Sequence, residues 1–404
     1  MTQDARESHG ETAELLVRSG VEIALAGGLR MLTARALADR TGLSPSALNY
    51  HLGGREGLVT QVLERALAAS AAWRAARLAE ISEEAGAPSW ASPAGAIAAM
   101  IADRVGDFRA WSLLLAEFEA EAEDAPAVAA AVGQQVAAMA DFWRAAAVEL
   151  GEAPDAAEIW ADLALGLTQL FLSPEPATSK LPWIVDATGR LQARLRRTPQ
   201  TALVARGAGP AERLGATTYA SEGARRLLEA ALDMIVAKGA DRLTLRGVAA
   251  AAGLSLAATT YFFRTRGELV AAAFHELHRQ LGAQALQAPG GGGLARVTLE
   301  DGGEAAVWRV RAMEALLLAS ARDPSLASIA RELRSTRGAT SLGMLRSLGV
   351  EADGLDAFIF STAVGGIVQR TRFSPPGQRR EAMANGERAH LELIFGVERP
   401  AASD

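Results

Sequence analysis

The sequence predicts an all-α chain built from two tandem units, each a three-helix head followed by a larger helical body. Three observations predict it. Apolar residues recur at spacings of three and four, and period-two runs of β-branched residues are scarce. One motif is written twice. Thr33 to Leu52, with Arg55-Glu-Gly-Leu58-Val59 behind it, aligns without a gap on Thr244 to Phe263, with Arg266-Gly-Glu-Leu269-Val270 behind it. Gly42 falls on Gly253 and Tyr50 on Tyr261, both 211 residues on. Later landmarks repeat as well, Pro126 at Pro324 and Gly151 at Gly349, both 198 residues on. A period near 200 residues is a duplicated domain rather than a solenoid repeat.

The elements follow in order. Residues 1–10 read as a frayed end. A helical pattern begins near Glu11 and stops at Gly27-Gly28. Thr33 caps a second helix, Ala34 to about Thr41, and Gly42 supplies the turn because it tolerates positive φ. Ser44, a capping hydroxyl with Pro45 at the first helical position, starts the third helix, which Gly53-Gly54 ends. Arg55 opens a long helix to about residue 80. Amphipathic helices continue to 197, broken at Gly86-Ala-Pro88, Ala91-Ser-Pro93, Asp124-Ala-Pro126, Gly151 to Pro154 and Ser173 to Pro176. A Pro/Gly-rich linker spans 198–218. The plan then repeats: Arg225 to Ala237 closed by Gly239, a cap at Thr244, a turn at Gly253 and a cap at Ser255. The domains are therefore a head at 11–60, a body at 61–197, the linker, a head at 219–272 and a body at 273–398. The drop in offset from 211 to 198 places a deletion in the second half near Ala288 to Gly293.

Composition bounds the function. Half of the 404 residues are hydrophobic and 22% are charged, which is ordinary for a globular protein with a core. There is no cysteine, so disulfides and thiolate chemistry are excluded. The polar start, Met1-Thr-Gln-Asp-Ala-Arg-Glu-Ser8, has no apolar secretion segment, and no stretch reads as a membrane span. The expectation is a cytoplasmic, nucleoid-associated protein with no membrane partner. Net charge is −6, from 41 basic and 47 acidic residues, so nucleic-acid binding must come from local charge. Arg30, Arg35, Arg40 and Arg55 lie in or beside the first motif, and Arg242, Arg246, Arg264 and Arg266 in the second. The acidic run Glu117, Glu119, Glu121, Glu123, Asp124 reads as a wet face away from both.

A short helix, a glycine turn and a second helix can place side chains in the major groove of DNA. Thr33, Ser44, Thr244 and Ser255 sit where a hydroxyl and free helix amides can hold a phosphate. Arg55 and Arg266 open the following helix within reach of the backbone. Only three tyrosines occur, and Tyr50 and Tyr261 take equivalent places, where a hydroxyl suits a phosphate. The base-reading positions are Ser46, Ala47 and Asn49 in the first head and Leu256, Ala257 and Thr260 in the second. The second set is the more apolar.

These stretches resemble the tetracycline-repressor (TetR) family. The resemblance is carried by Leu32-Thr33, Ala38, Gly42-Leu43-Ser44, Ala47 to Leu52 and Arg55-Glu-Gly-Leu58, and again by Leu243-Thr244, Ala249, Gly253-Leu254-Ser255, Thr260 to Phe263 and Arg266-Gly-Glu-Leu269. It covers about 50 residues in each half. The family's usual lysine at the start of helix four is arginine here (Arg55, Arg266). Asn49 and Thr260 replace an aromatic, and Phe262 stands opposite His51. The resemblance implies an all-helical DNA-binding regulator, usually a homodimer, whose bodies bind a small molecule and each other. This chain looks like such a dimer fused into one polypeptide, a pseudo-twofold repressor with unlike half-sites on its double-stranded operator. Ala156 to Leu172 and Leu355 to Val368 lie where the family makes its intersubunit four-helix contact, though ordinary core packing predicts the same residues.

Six of seven tryptophans fall in the first half. Trp111, Phe118, Trp143 and Trp160 are candidate walls of a pocket for a small apolar or aromatic effector, against the plainer reading that they fill the core. Catalysis is not supported, no cofactor is implied, and no metal site is expected. His275-Glu-Leu-His278 has ligand spacing but no third ligand, and Gly290 to Gly293 lacks the Lys-Ser/Thr of a phosphate loop. The rival to a DNA-binding regulator is a ligand-binding or protein-interaction module with one or both heads degenerate.

Overall fold

The structure, a computed structural model, describes residues 3–84, 92–122, 125–199, 221–287 and 303–397. Among the described residues every regular element is a helix. The chain divides into two compact units, Met1–Glu80 with Asp103–Met139, and Ile81–Ala102 with Ala140–Asp404. That division falls inside the first body and not at the linker. From residue 200 onward the linker lies outside the described residues, as does the run Gly290 to Gly293.

The first unit holds α1 (Gln3–Gly27), a 3-10 turn (Leu29–Met31), α2 (Ala34–Thr41), α3 (Pro45–Leu52), most of α4 (Arg55–Glu84), the end of α5 (Pro93–Val105), α6 (Arg109–Glu121) and the start of α7 (Pro126–Glu149). The frayed end expected at 1–10 is helical from Gln3. Its His9 ring lies 4.3 Å from that of His51 and 5.3 Å from that of Tyr50, so the terminus has a partner that local sequence rules do not show. Leu16, Val17, Ala24, Leu32, Leu37, Leu48, Leu58 and Val62 form the core beneath the head. Thr33 Oγ1 accepts from the Ala36 amide at 3.1 Å, and Gly42 turns the chain at φ 72°. Ser44 departs from expectation and makes no side-chain cap. Its hydroxyl lies 2.7 Å from that of Ser46. Pro45 and the bond from the Ala47 amide to the Ser44 carbonyl start α3 instead.

The second unit holds the rest of α7, then α8 (Pro154–Leu170) and α9 (Ala177–Leu195). Its head comprises α10 (Glu222–Lys238), α11 (Leu245–Ala251) and α12 (Leu256–Phe262). There follow α13 (Arg266–Gln287), α14 (Gly303–Arg322), α15 (Ala327–Thr336), α16 (Ala339–Ser347), α17 (Gly354–Thr371) and α18 (Pro376–Phe395). Thr244 Oγ1 accepts from the Gly247 amide at 3.0 Å, and Ser255 Oγ from the Ala258 amide at 3.1 Å.

The centre of this unit is the crossing of α8 and α17. A Cβ on Gly166 would stand 2.1 Å from the carbonyl oxygen of Thr362, and one on Gly366 1.8 Å from that of Asp162. Only glycine lets the backbones approach so closely. The two contacts are reciprocal in spacing: Gly166 lies on Thr362 and Gly366 on Asp162, with Gly166 and Gly366, and Asp162 and Thr362, each 200 residues apart.

Buried charge surrounds the crossing. Asp162, 1% exposed, accepts from Arg370 Nε at 2.6 Å, and its other oxygen lies 3.1 Å from Nε2 of the equally buried His390. Asp356 accepts from Arg190 at 3.1 Å and Arg194 at 2.9 Å. Asp353 caps α17 and joins Asp356 in a reciprocal capping box. Burial by itself raises the Asp353 pKa, but hydrogen bonds from the Asp356 amide and Arg190 outweigh it and hold the group below its ordinary 3.8. A depressed carboxylate stabilises the fold fully above its unfolded pKa, and that share is lost as pH falls through the lower folded value. Urea midpoints should therefore drop on acidification below about pH 4. Asp353→Asn should flatten that limb, and an unchanged acid limb in the variant would refute the assignment.

Candidate nucleic-acid interface

The two heads expose the same face. In α3, Ser46, Asn49 and Tyr50 point to solvent while Leu48 is buried. In α12, Leu256, Ala257, Thr260 and Tyr261 are exposed while Thr259, equivalent to Leu48, is buried. Ala47 is half-buried. Tyr50 is 73% exposed and Tyr261 81%, so neither ring serves the core. The Thr260 hydroxyl donates to the Ala257 carbonyl at 3.0 Å, which leaves its lone pairs outward. Thr33 and Thr244 use one lone pair each on their own helix, so each hydroxyl hydrogen remains available to an anion.

The arginines behind the heads stand differently from expectation. Arg55 donates to the carbonyl of Leu32 at 3.1 Å and, more weakly, to that of Leu29 at 3.5 Å. Arg266 donates to the carbonyl of Ala240, equivalent to Leu29, at 2.9 Å and pairs with Asp323 at 3.1 Å. Both guanidiniums thus hold the 3-10 turn that precedes the second helix of each head, Leu29–Met31 in the first and Ala240–Arg242 in the second. They position the heads first, and in Arg266 the remaining Nε is itself buried. Asp323 sits below its ordinary pKa, chiefly through the Ser325 hydroxyl and amide, with Arg266 contributing.

Sequence reasoning missed two body contacts on the heads. Glu117 on α6, expected on a wet face away from both motifs, accepts from the Leu29 amide at 2.9 Å. Asp323, at the cap of a 3-10 turn (Pro324–Leu326), does a similar task through Arg266. Spacing gives no signal for either, because each partner lies on a different helix. Arg226, whose guanidinium donates to the Ala252 carbonyl, was also not singled out.

The profile of the family described as bacterial regulatory proteins, tetR family, matches residues 227–273. That span runs from α10 through the exposed α12 into α13. Over those residues the second head is similar to the tetR family's N-terminal domain. No curated protein matches the chain. Among solved structures, the multidrug binding protein EbrR complexed with imidazole matches at 25% identity, covering 51% of this chain and all of its own, with a TM-score of 0.32.

The candidate effector walls are divided between the units. Trp111 and Phe118 lie in the first and Trp143 and Trp160 in the second. Phe118, Trp143 and Trp160 are buried, as the plainer core reading of these aromatics has it, while Trp111 is half-buried. His275 pairs with Glu332 at 2.8 Å, and no group of three or more metal-ligating side chains occurs among the described residues. No helix among them is long and apolar enough to cross a membrane.

Proposed function

We propose that this chain is a ligand-responsive DNA-binding regulator of the tetR type, a repressor, that grips one duplex with two unlike heads from one polypeptide. One observation carries the reading. The two recognition helices expose equivalent positions bearing different side chains, Ser46 against Ala257 and Asn49 against Thr260, while Tyr50 and Tyr261 stay the same. Shared tyrosines and threonine caps suit the sequence-independent phosphates. Differing residues between them suit differing bases. Asn49 matches adenine, and Leu256 and Ala257 match thymine methyls. The reciprocal contact of α8 with α17 supports an intramolecular pseudo-dimer. To enter successive major grooves the heads must stand about 34–36 Å apart, or a multiple of that. Glu117 and the Arg266–Asp323 pair tie each head to its body, so an effector that shifts the body helices alters head placement.

Selection of bound sequences from a random duplex pool tests this. Two dissimilar half-sites are expected. Asn49→Ala should relax the preference in one half-site only, and Thr260→Ala in the other, by about 1–3 kcal/mol of discrimination at a contacted base. Recovery of perfect palindromes alone would sink the reading. The rival, a protein-interaction module, draws on exposed Leu256. Binding that does not weaken as salt rises would favour it.

A further inference from the structure

The first unit contains a buried guanidinium with unsatisfied donors. Arg104, at the end of α5, is 5% exposed. Its guanidinium carbon lies 4.9 Å from the ring centre of Trp73 and 5.1 Å from that of Phe108. Those faces attract a cation but accept no strong hydrogen bond. Arg104 Nε and Nη1 have no hydrogen-bond partner, and no carboxylate lies within ion-pair distance among the described residues. Glu119 and Asp103 attract Arg104 through space without a direct hydrogen bond to it, and Asp103 has partners of its own. Asp103 accepts from Trp73 Nε1 at 2.7 Å and pairs with Arg77 at 3.6 Å.

A second guanidinium stands beside it. Arg74 Nη1 donates to Ser70 Oγ at 3.1 Å and Gln135 Oε1 at 2.9 Å, and Gln135 Nε2 donates in turn to Ser70 Oγ at 2.6 Å. Those partners are neutral and buried. Burial lowers the pKa of both arginines. For Arg104 it reaches about 10, with Glu119 and Asp103 opposing the fall and Arg74 adding to it. Both side chains stay charged at neutral pH. Leaving a buried charge without a counterion costs several kcal/mol, roughly.

We propose that the Arg104 guanidinium, packed against both Trp73 and Phe108 with Arg74 beside it, binds the carboxylate of a small organic monoanion. A singly charged carboxylate offers planar acceptors to guanidinium donors and loses less solvation in aromatic surroundings than a dianionic phosphate. Trp73 and Phe108, 5.8 Å apart, suit an apolar or aromatic remainder on the ligand. This deepens the ligand-responsive reading above by naming the effector's class, and it rests on that reading only for the effect on DNA.

The test uses the full chain without DNA. Phenylacetate and hexanoate are titrated by calorimetry beside their neutral amides. At least one carboxylate should bind and raise the melting temperature while its amide does not, and Arg104→Met should weaken that binding by about tenfold or more. Arg104→Met should also melt higher than the parent when no ligand is present, because an uncompensated charge has gone. No binding of either carboxylate, equal binding of acid and amide, or a variant that melts lower would each overturn the proposal. Duplex binding is followed separately by fluorescence anisotropy. Carboxylate binding without duplex binding defeats the regulator reading alone, and the converse defeats this one alone.

Discussion

Gly366→Val is expected to destabilise the second unit by about 3 kcal/mol or more. The new Cβ would stand 1.8 Å from the carbonyl oxygen of Asp162, 2.5 Å from its carbon and 2.7 Å from its Cα. All three are backbone atoms, so no rotamer change relieves the overlap. Helix α17 must move off α8 and lose close packing along the crossing. Gly166→Val meets the Thr362 carbonyl in the same way and should behave alike. Once the helices have parted both side chains fit, so the double variant should cost less than the two singles together. Gly343, itself exposed on α16 with no atom near its missing Cβ, is the control. Gly343→Ala should be neutral or stabilising by up to about 1 kcal/mol. Urea midpoints read all four. An unchanged midpoint for Gly366→Val would show that the crossing is not close-packed.

Asp162→Ala should cost about 3–5 kcal/mol. The carboxylate is the acceptor for Arg370 Nε and the neighbour of His390 Nε2, and both it and the imidazole are 1% exposed. Removing it leaves a guanidinium and a buried ring without their partner. The loss is the penalty of the stranded groups more than the worth of the pair. Asp162→Ala with Arg370→Leu should therefore recover much of the stability, since no uncompensated cation remains. Thermal unfolding followed by tryptophan fluorescence measures this, with Trp160 on the same helix. A neutral single variant, or a double variant worse than the single, would contradict the assignment.

The heads were largely legible in the sequence. Thr33, Thr244 and Ser255 cap where expected, and Gly42 and Gly253 turn at φ 72° and 65°. The match to residues 227–273 falls on the second copy of the motif. Ser44 departs because its hydroxyl meets that of Ser46. Arg55 and Arg266 were read as phosphate holders because they open the helix after the reading helix, within reach of the DNA backbone. The 3-10 turn folds back over them and takes their donors. The aromatic residues chosen as pocket walls follow a helical apolar spacing that core and pocket share, so spacing cannot separate the two. Arg104 was passed over, since one arginine near a helix end looks solvated until its neighbours are known.

By itself the sequence determined the helices, their turns and most of their caps. Caps, left-handed glycines and an initial proline act within about four residues of themselves. Tertiary structure decided which polar groups meet. It set the 200-residue register of α8 on α17, brought Arg370 and His390 to Asp162 from 208 and 228 residues away, laid Glu117 on Leu29, and left Arg104 Nε and Nη1 without acceptors. Those outcomes depend on how helices far apart in the chain pack, and on how much water that packing removes. No local pattern encodes either.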